Sequence, residues 1–321
     1  FEELKGTGTN DGGICHFPDG GTYFGYLVKK KTGTEMTASQ LDDDIGLEMV
    51  NLYSEFYQLM QDHPDILDEF AEYQFDESDP KTMITMLQDA ITENFPDMIT
   101  AQYSLKYVPK ALEESMNPAF YMIPPVDDLN DNKIYLNQSQ MINNMEVFTT
   151  LAHEGYPGHL YQMTFFSSTD PDPIRFQMTT LGYVEGWATY AEDTAYKYMG
   201  MEDYLARFMA LNREMTLCLY AQADIGVNSK GWTKEDLKEY LDVWGMGDDE
   251  VVDSMYGIVI GEPASYLPYC VGNIQLRRLR STLEDEMGNA FDEKAFHQAV
   301  METGPCSFRL LEREVRKKLG V

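Results

Sequence analysis

The sequence predicts a mainly α-helical fold with one small β-sheet. Three observations carry this. Apolar residues recur at three, four and seven along most of the chain, the period of a helix face. Capping signals open several of those runs. One region, about 102–137, instead contains alternating and aromatic-rich stretches bounded by turn residues. The 321 residues are enough to bury a large core in one or two domains. With no internal repeat, low-complexity tract or obvious linker, a single unit over residues 1–321 is the simplest account.

Thr37 and Gln40 form a T-x-x-Q capping box before a long amphipathic run. In that run Leu41, Ile45, Leu52, Phe56 and Leu59 share one face. Asp79-Pro80 reads as an N-cap followed by proline at the first helical position, opening a helix to about Asn94. Tyr103–Tyr107 alternates with period two. Phe120–Ile123 is apolar and ends at Pro124-Pro125, and Lys133–Leu136 follows a turn-rich stretch. These are two or three strands, placed directly before the most informative helix. Helices are expected at about 144–165, 181–199, 202–226, 233–243, 249–258, 264–287, 292–303 and 307–319. Thr233 and Asp236 cap the fourth of these.

Charge narrows the function classes. Lys plus Arg number 24 against 54 Asp plus Glu, a net charge of −30. Nucleic acid and anionic membranes need basic surface, so neither is an expected partner. The 43% apolar content argues against disorder. No run approaches the roughly 18 apolar residues of a membrane span. The acid excess lies before Arg277. From Arg277 to Lys318 nine basic residues face eight acids. Cys15, Cys218, Cys270 and Cys306 form no CxxC and read as plain thiols. The chain starts at Phe1 and carries no signal peptide, so it reads as a processed or cut piece.

The chemistry concentrates in Thr149-Thr150-Leu151-Ala152-His153-Glu154-Gly155-Tyr156-Pro157-Gly158-His159. The chain has five histidines, and two of them flank Glu154 within seven residues. An HExxH helix puts two histidines on one face to bind zinc, beside a glutamate base. Here position i+4 is Pro157, and His159 at i+6 lies about 240° around an ideal helix from His153. The two rings meet one metal only if the helix breaks. Pro157 lacks the N–H, and Gly158 permits unusual dihedrals. Otherwise the segment is a helix end with a core His153 and an exposed His159. A second cluster, Tyr183 to Asp193, contains Glu185 and Glu192 seven apart on one apolar face. A carboxylate there needs a partner.

HEGYPGH followed by EGWATYAE resembles the bacterial family catalogued as domain of unknown function 885. That family looks like a distant member of the gluzincin metallopeptidases, with HExxPGH and EGWA motifs. Phe17 to Val28 with Thr32-Gly33-Thr34 is similar to its PDG-x-x-Y and TGT segment. Phe120 to Pro125 with Tyr135-Leu136-Asn137 is similar to its YY-x-PP…Y-x-N segment. Tyr269-Cys270-Val271-Gly272, Leu279-Arg280, Phe291-Asp292, Phe296-His297 and Gly304 resemble its C-terminal pattern. The resemblance covers nearly the whole chain. It implies a zincin-like helical fold and the C-terminal catalytic part of a longer protein. Metal-site helices would fall at about 144–199 and a C-terminal helical region at about 202–321.

The resemblance implies one zinc ion per chain, held by His153, His159 and Glu185. Glu154 would be the general base that takes a proton from the attacking water. Glu192 would orient a ligand histidine, although Glu185 and Glu192 can exchange roles on sequence alone. Tyr269 and His297 are candidates to stabilise the developing oxyanion, and otherwise are core residues. Arg277 and Arg280 are candidates to clamp a substrate carboxylate, and otherwise are solvated. Tyr156 is a candidate substrate contact. Residues from Asn117 to Asn137 offer a sheet edge to an extended peptide. The expected function is zinc-dependent hydrolysis of a peptide or related amide bond, with a carboxypeptidase as one subtype. The alternatives are a zincin-fold peptide binder without turnover and a zinc hydrolase of non-peptide amides or esters. An exported or lipid-anchored bacterial protein is favoured over a cytoplasmic one. His16 and His63 read as surface or loop residues.

Overall fold

The structure, a computed structural model, describes residues 12–97, 101–125, 127–141, 143–178 and 180–321. The expectation about the start at Phe1 lies outside the described residues. Four helices come first: α1 (Gly20–Thr32), α2 (Ala38–Asp62), α3 (Ile66–Glu72) and α4 (Pro80–Ala90). The strands β1 (Tyr103–Tyr107), β2 (Ala119–Met122) and β3 (Asn132–Leu136) follow. Then come α5 (Asn144–Glu154), α6 (His159–Ser168), α7 (Leu181–Ala195) and α8 (Asp203–Ile225). The chain ends with α9 (Lys234–Asp242), α10 (Asp249–Gly261), α11 (Leu267–Met287), α12 (Glu293–Thr303) and α13 (Phe308–Leu319). The fold is mainly α, as the apolar periodicity predicts.

The caps form as read from the sequence. The Thr37 hydroxyl accepts from the Gln40 N–H at 3.2 Å, and the Gln40 side chain accepts from the Thr37 N–H at 2.9 Å. Thr233 and Asp236 do the same for α9. Asp79 caps α4, with Pro80 at its first position. That helix ends at Ala90 rather than Asn94. The Asn94 carbonyl instead meets the imidazole of His297 at 2.5 Å, a tertiary contact with no local signal. The long α2 was expected. α1 and α3 were not, because α1 buries only Gly20, Phe24, Val28 and Thr32 and α3 buries only Ile66.

The sheet has the order β1-β3-β2, with β1 parallel and β2 antiparallel to the central β3. β2 is therefore an edge, with Tyr121 opposite Ile134. One core lies between the sheet, α4–α7 and α11–α13, around Phe148, Trp187 and Phe296. A second lies among α1, α2, α8 and α11, around Leu41, Ile45 and Leu211. α7 runs against α11, and α11 contributes to both cores. All four cysteines are free thiols. Among the described residues no helix is long and apolar enough to cross a membrane.

Candidate metal centre

α5 buries Val147, Phe148, Leu151 and Ala152, which fixes its rotation and leaves His153 and Glu154 at its C-terminal end. The helix stops there. Gly155 takes φ −112°, ψ −98° and Gly158 takes φ −77°, ψ −133°, both outside the helical region. The Gly158 N–H turns back to the Ala152 carbonyl at 2.9 Å. A Cβ at Gly158 would stand 1.8 Å from the His153 carbonyl oxygen, so glycine alone permits this path. α6 then begins at His159. The helix expected over 144–165 is thus interrupted at 155–158, and of the two readings left open by the sequence the break at Pro157-Gly158 is the one present. It brings the rings of His153 and His159 to 4.8 Å between centroids, with planes at 87°.

α7 supplies the third group. A Glu185 carboxylate oxygen lies 3.6 Å from His153 Nε2 and 3.3 Å from His159 Nε2. One donor atom from each of these residues lies within 4.8 Å of the others. Two turns on, a Glu192 oxygen lies 3.2 Å from His153 Nδ1. The same carboxylate accepts from the Arg213 guanidinium at 2.8 Å. Geometry thus separates the two glutamates that sequence left exchangeable. Glu185 faces the nitrogens that converge, and Glu192 faces the far side of the His153 ring.

Neighbouring residues of α7 hold that helix in place. Gly186 lets α7 approach α11, since a Cβ there would stand 2.4 Å from the backbone of Gly272. The Trp187 indole N–H donates to the Pro157 carbonyl at 2.8 Å, tying α7 to the break between α5 and α6. Tyr183 donates to the Val300 carbonyl at 3.0 Å.

Glu154 lies beside the cluster and accepts from the Tyr121 N–H of β2 at 2.7 Å. A cavity of about 320 Å³ opens over these groups, lined by His153, Glu154, His159, Glu185 and Tyr269 and by apolar side chains. The cluster is electrostatically coupled. Burial lowers His153, but Glu185 and Glu192, with Glu154 nearby, raise it to about 10. Burial raises Glu185, yet His153 and His159 hold it well below the usual carboxylate range. Burial also raises Glu192, which Arg213 and His153 pull down instead. A ring flanked by ionised carboxylates favours positive charge, and a divalent cation bound there would have to displace a proton from its nitrogens.

The sequence pattern of the bacterial proteins of unknown function DUF885 matches residues 2–315. The chain belongs to that family. Two solved structures share the DUF885 chain's fold. One is a "putative lipoprotein" of Colwellia psychrerythraea, with a TM-score of 0.82 and 22% identity over 99% of this chain. The other is a protein of the same description and unknown function from Shewanella oneidensis, with a TM-score of 0.72 and 15% identity over 97%. This chain spans 58% and 61% of their lengths. No curated protein matches it.

Other candidates in this DUF885 chain divide by place. Tyr269 lines the cavity, with its ring 6.1 Å from that of His153 and nearly parallel to it. Burial and the charges of Glu185 and Glu154 push its hydroxyl upward, so it stays protonated. His297 does not reach the cluster cavity. It is 1% exposed, its Nε2 meets the Tyr190 hydroxyl at 2.8 Å, and it lines a separate pocket. Burial pulls it down to about 4, so it is a neutral structural histidine. Tyr156 is 2% exposed and packs on Tyr103 and Tyr161, away from the cavity.

The two arginines proposed as a carboxylate clamp are already engaged. Arg277 binds Glu48 at 2.7 Å, and Arg280 binds Glu284 and Glu293 at 2.9 Å. The −30 charge explains this, because protein carboxylates outnumber cations and take their forks first. His63 stacks on Tyr204 at 3.7 Å, a partner its sequence context did not suggest. Sequence reasoning missed Arg213, Gln162 and Arg175. Gln162 follows His159 by three on one helix face, and that spacing was the available signal. Arg213 and Arg175 lie on distant segments with no local pattern.

Proposed function

We propose that this chain is a zinc-dependent hydrolase of peptide or related amide bonds. One observation carries the reading: two imidazoles and a carboxylate converge within 4.8 Å in the lining of a cavity that Glu154 also lines. Two histidines and a glutamate, with space for a further ligand, suit a catalytic zinc. When bound there, zinc would polarise a substrate carbonyl and make a water more acidic.

The chain's own residues do the rest. Glu154 accepts the proton of the attacking water, and its contact with the Tyr121 N–H fixes where that carboxylate sits. The ionised Glu192 can only accept, so His153 carries a proton on Nδ1 and presents Nε2 toward His159 and Glu185. Arg213 keeps Glu192 charged and oriented. The Tyr269 hydroxyl donates to the carbonyl oxygen as negative charge develops on it. β2 offers an edge beside Glu154 along which an extended peptide can lie.

Metal content by mass spectrometry tests this reading, on the wild-type chain and on His153→Ala, His159→Ala and Glu185→Ala. About one zinc per chain is expected in the wild type, and a loss in each variant. Glu154→Gln should keep the zinc and lose hydrolysis of a peptide library by about 100-fold or more. No zinc after supplementation, or zinc that survives all three ligand changes, would sink the proposal.

A further inference from the structure

The cavity contains two polar groups that the proposed hydrolysis does not use. Gln162 is 5% exposed and lines the cavity, and its amide nitrogen has no hydrogen-bond partner among the described residues. A buried donor without an acceptor is costly to maintain, which points to a ligand atom that completes it. The second group is Arg175, half-buried in the same lining. Its guanidinium lies 5.2 Å from the Phe166 ring centroid, and one nitrogen donates to the Thr303 and Pro305 carbonyls.

Arg175 differs from the other arginines. Among the described residues only Arg175 and Arg309 lack a carboxylate within 4.0 Å, and Arg309 is exposed. In a chain of net charge −30, a half-buried cation left without an acid is a place for an anion from outside. Around it the walls are apolar: Ile123, Met163, Phe166, Phe176, Leu181 and Val184.

α6 sets the spacing. His159, Gln162 and Phe166 follow at three and four, so they share a face. Phe166 lies about 10 Å along the helix axis from His159. An extended peptide advances about 3.3–3.6 Å per residue, so about three residues cover that span.

We infer that this cavity is a subsite for the free C-terminal carboxylate of a short peptide with apolar terminal side chains, held by Arg175 and Gln162. The orientation rests on the hydrolase reading, which places the scissile bond at the His153–His159–Glu185 end. The carboxylate contact itself needs no metal. The subsite gives the chain the clamp that Arg277 and Arg280 cannot provide.

The test uses N-acetylated Ala-Ala-Leu-Phe as the free acid and as the C-terminal amide. Both are titrated calorimetrically into Glu154→Gln protein, once with zinc and once with chelator. The acid is expected to bind about 10- to 100-fold tighter than the amide, the size of a charge-assisted hydrogen bond. Arg175→Met should bring the acid down to the level of the amide and leave the amide unchanged, while Arg175→Lys should keep part of the preference. Gln162→Leu should also weaken the acid.

Equal binding of acid and amide overturns the inference. So does a loss shared equally by both peptides in Arg175→Met, which would mean that Arg175 only braces the Thr303 and Pro305 carbonyls. Acid preference that persists in chelator, in a protein that binds no zinc, would retain the subsite and refute the hydrolase. Zinc-dependent cleavage without any acid preference would do the reverse.

Discussion

His153 is shaped from both sides. Glu192 and Arg213 hold one ring nitrogen, and Glu185 faces the other, so the ring has little freedom left. Asp224 is the opposite case, a buried acid with no ion pair within 4.0 Å among the described residues. One of its oxygens accepts from Asn228 and from the Ala264 N–H, both at 3.0 Å, and the other has no partner among the described residues. Burial raises it to about 7. The folded chain therefore holds this proton more tightly than the unfolded chain. The stability it contributes is complete below about pH 4, the unfolded value. That stability falls as pH rises toward about 7 and is constant above it. The wild-type unfolding free energy minus that of Asp224→Asn should fall by about 2–4 kcal/mol across this window. Urea titrations at pH 4, 6 and 8 measure this. A flat difference would mean that Asp224 is ionised in the fold.

Among the elements, the α5–α6 break and α7 together place the three groups proposed to hold zinc. Gly158→Ala pushes a methyl into the His153 carbonyl, so the chain must straighten or shift His159. Zinc affinity should fall at least 10-fold, with a stability cost of about 1–3 kcal/mol. Gly186→Ala meets the backbone of Gly272 instead and should cost a similar amount by parting α7 from α11. Competition with a zinc-binding dye, beside thermal melts, checks the pair. If Gly158→Ala bound zinc normally, the break would not be what brings the histidines together.

Across the whole molecule, the 54 acids repel one another, and the described ion pairs cluster on α2, α8 and α11. Screening shortens from about 30 Å at 0.01 M salt to about 10 Å at 0.1 M, which weakens long-range repulsion more than close, half-buried pairs. Adding 0.2 M sodium chloride should therefore raise the melting temperature by about 1–2 °C, roughly a 1 kcal/mol effect for a chain of this size. A fall would show that the ion pairs outweigh the repulsion. The charge also explains why most arginines are engaged, and why Arg175 stands out.

Helices, caps and strands were largely legible because each depends on residues close in sequence. The T-x-x-Q box and the α2 run need only their own turns and faces, whereas the helix expected over 144–165 forms as α5 and α6. That the helix could break was legible too, since Pro157 and Gly158 restrict or free their own backbone, but the sequence left a plain helix end equally open. His153, Glu154 and Glu185 became candidates through the resemblance, because His159 at i+6 departs from the HExxH spacing. By itself the sequence determined where the chain turns, which faces are apolar and which residues are candidates for chemistry. Tertiary structure alone decided that Glu185 rather than Glu192 faces both imidazoles. It also decided that His297, Arg277 and Arg280 are committed elsewhere and that Gln162 and Arg175 line the cavity. The physical reason is that backbone preference is local, whereas a side chain's partner is set by helices packing across long stretches of chain. Trp187 shows this directly: its N–H reaches the Pro157 carbonyl, and no spacing in the sequence records that contact.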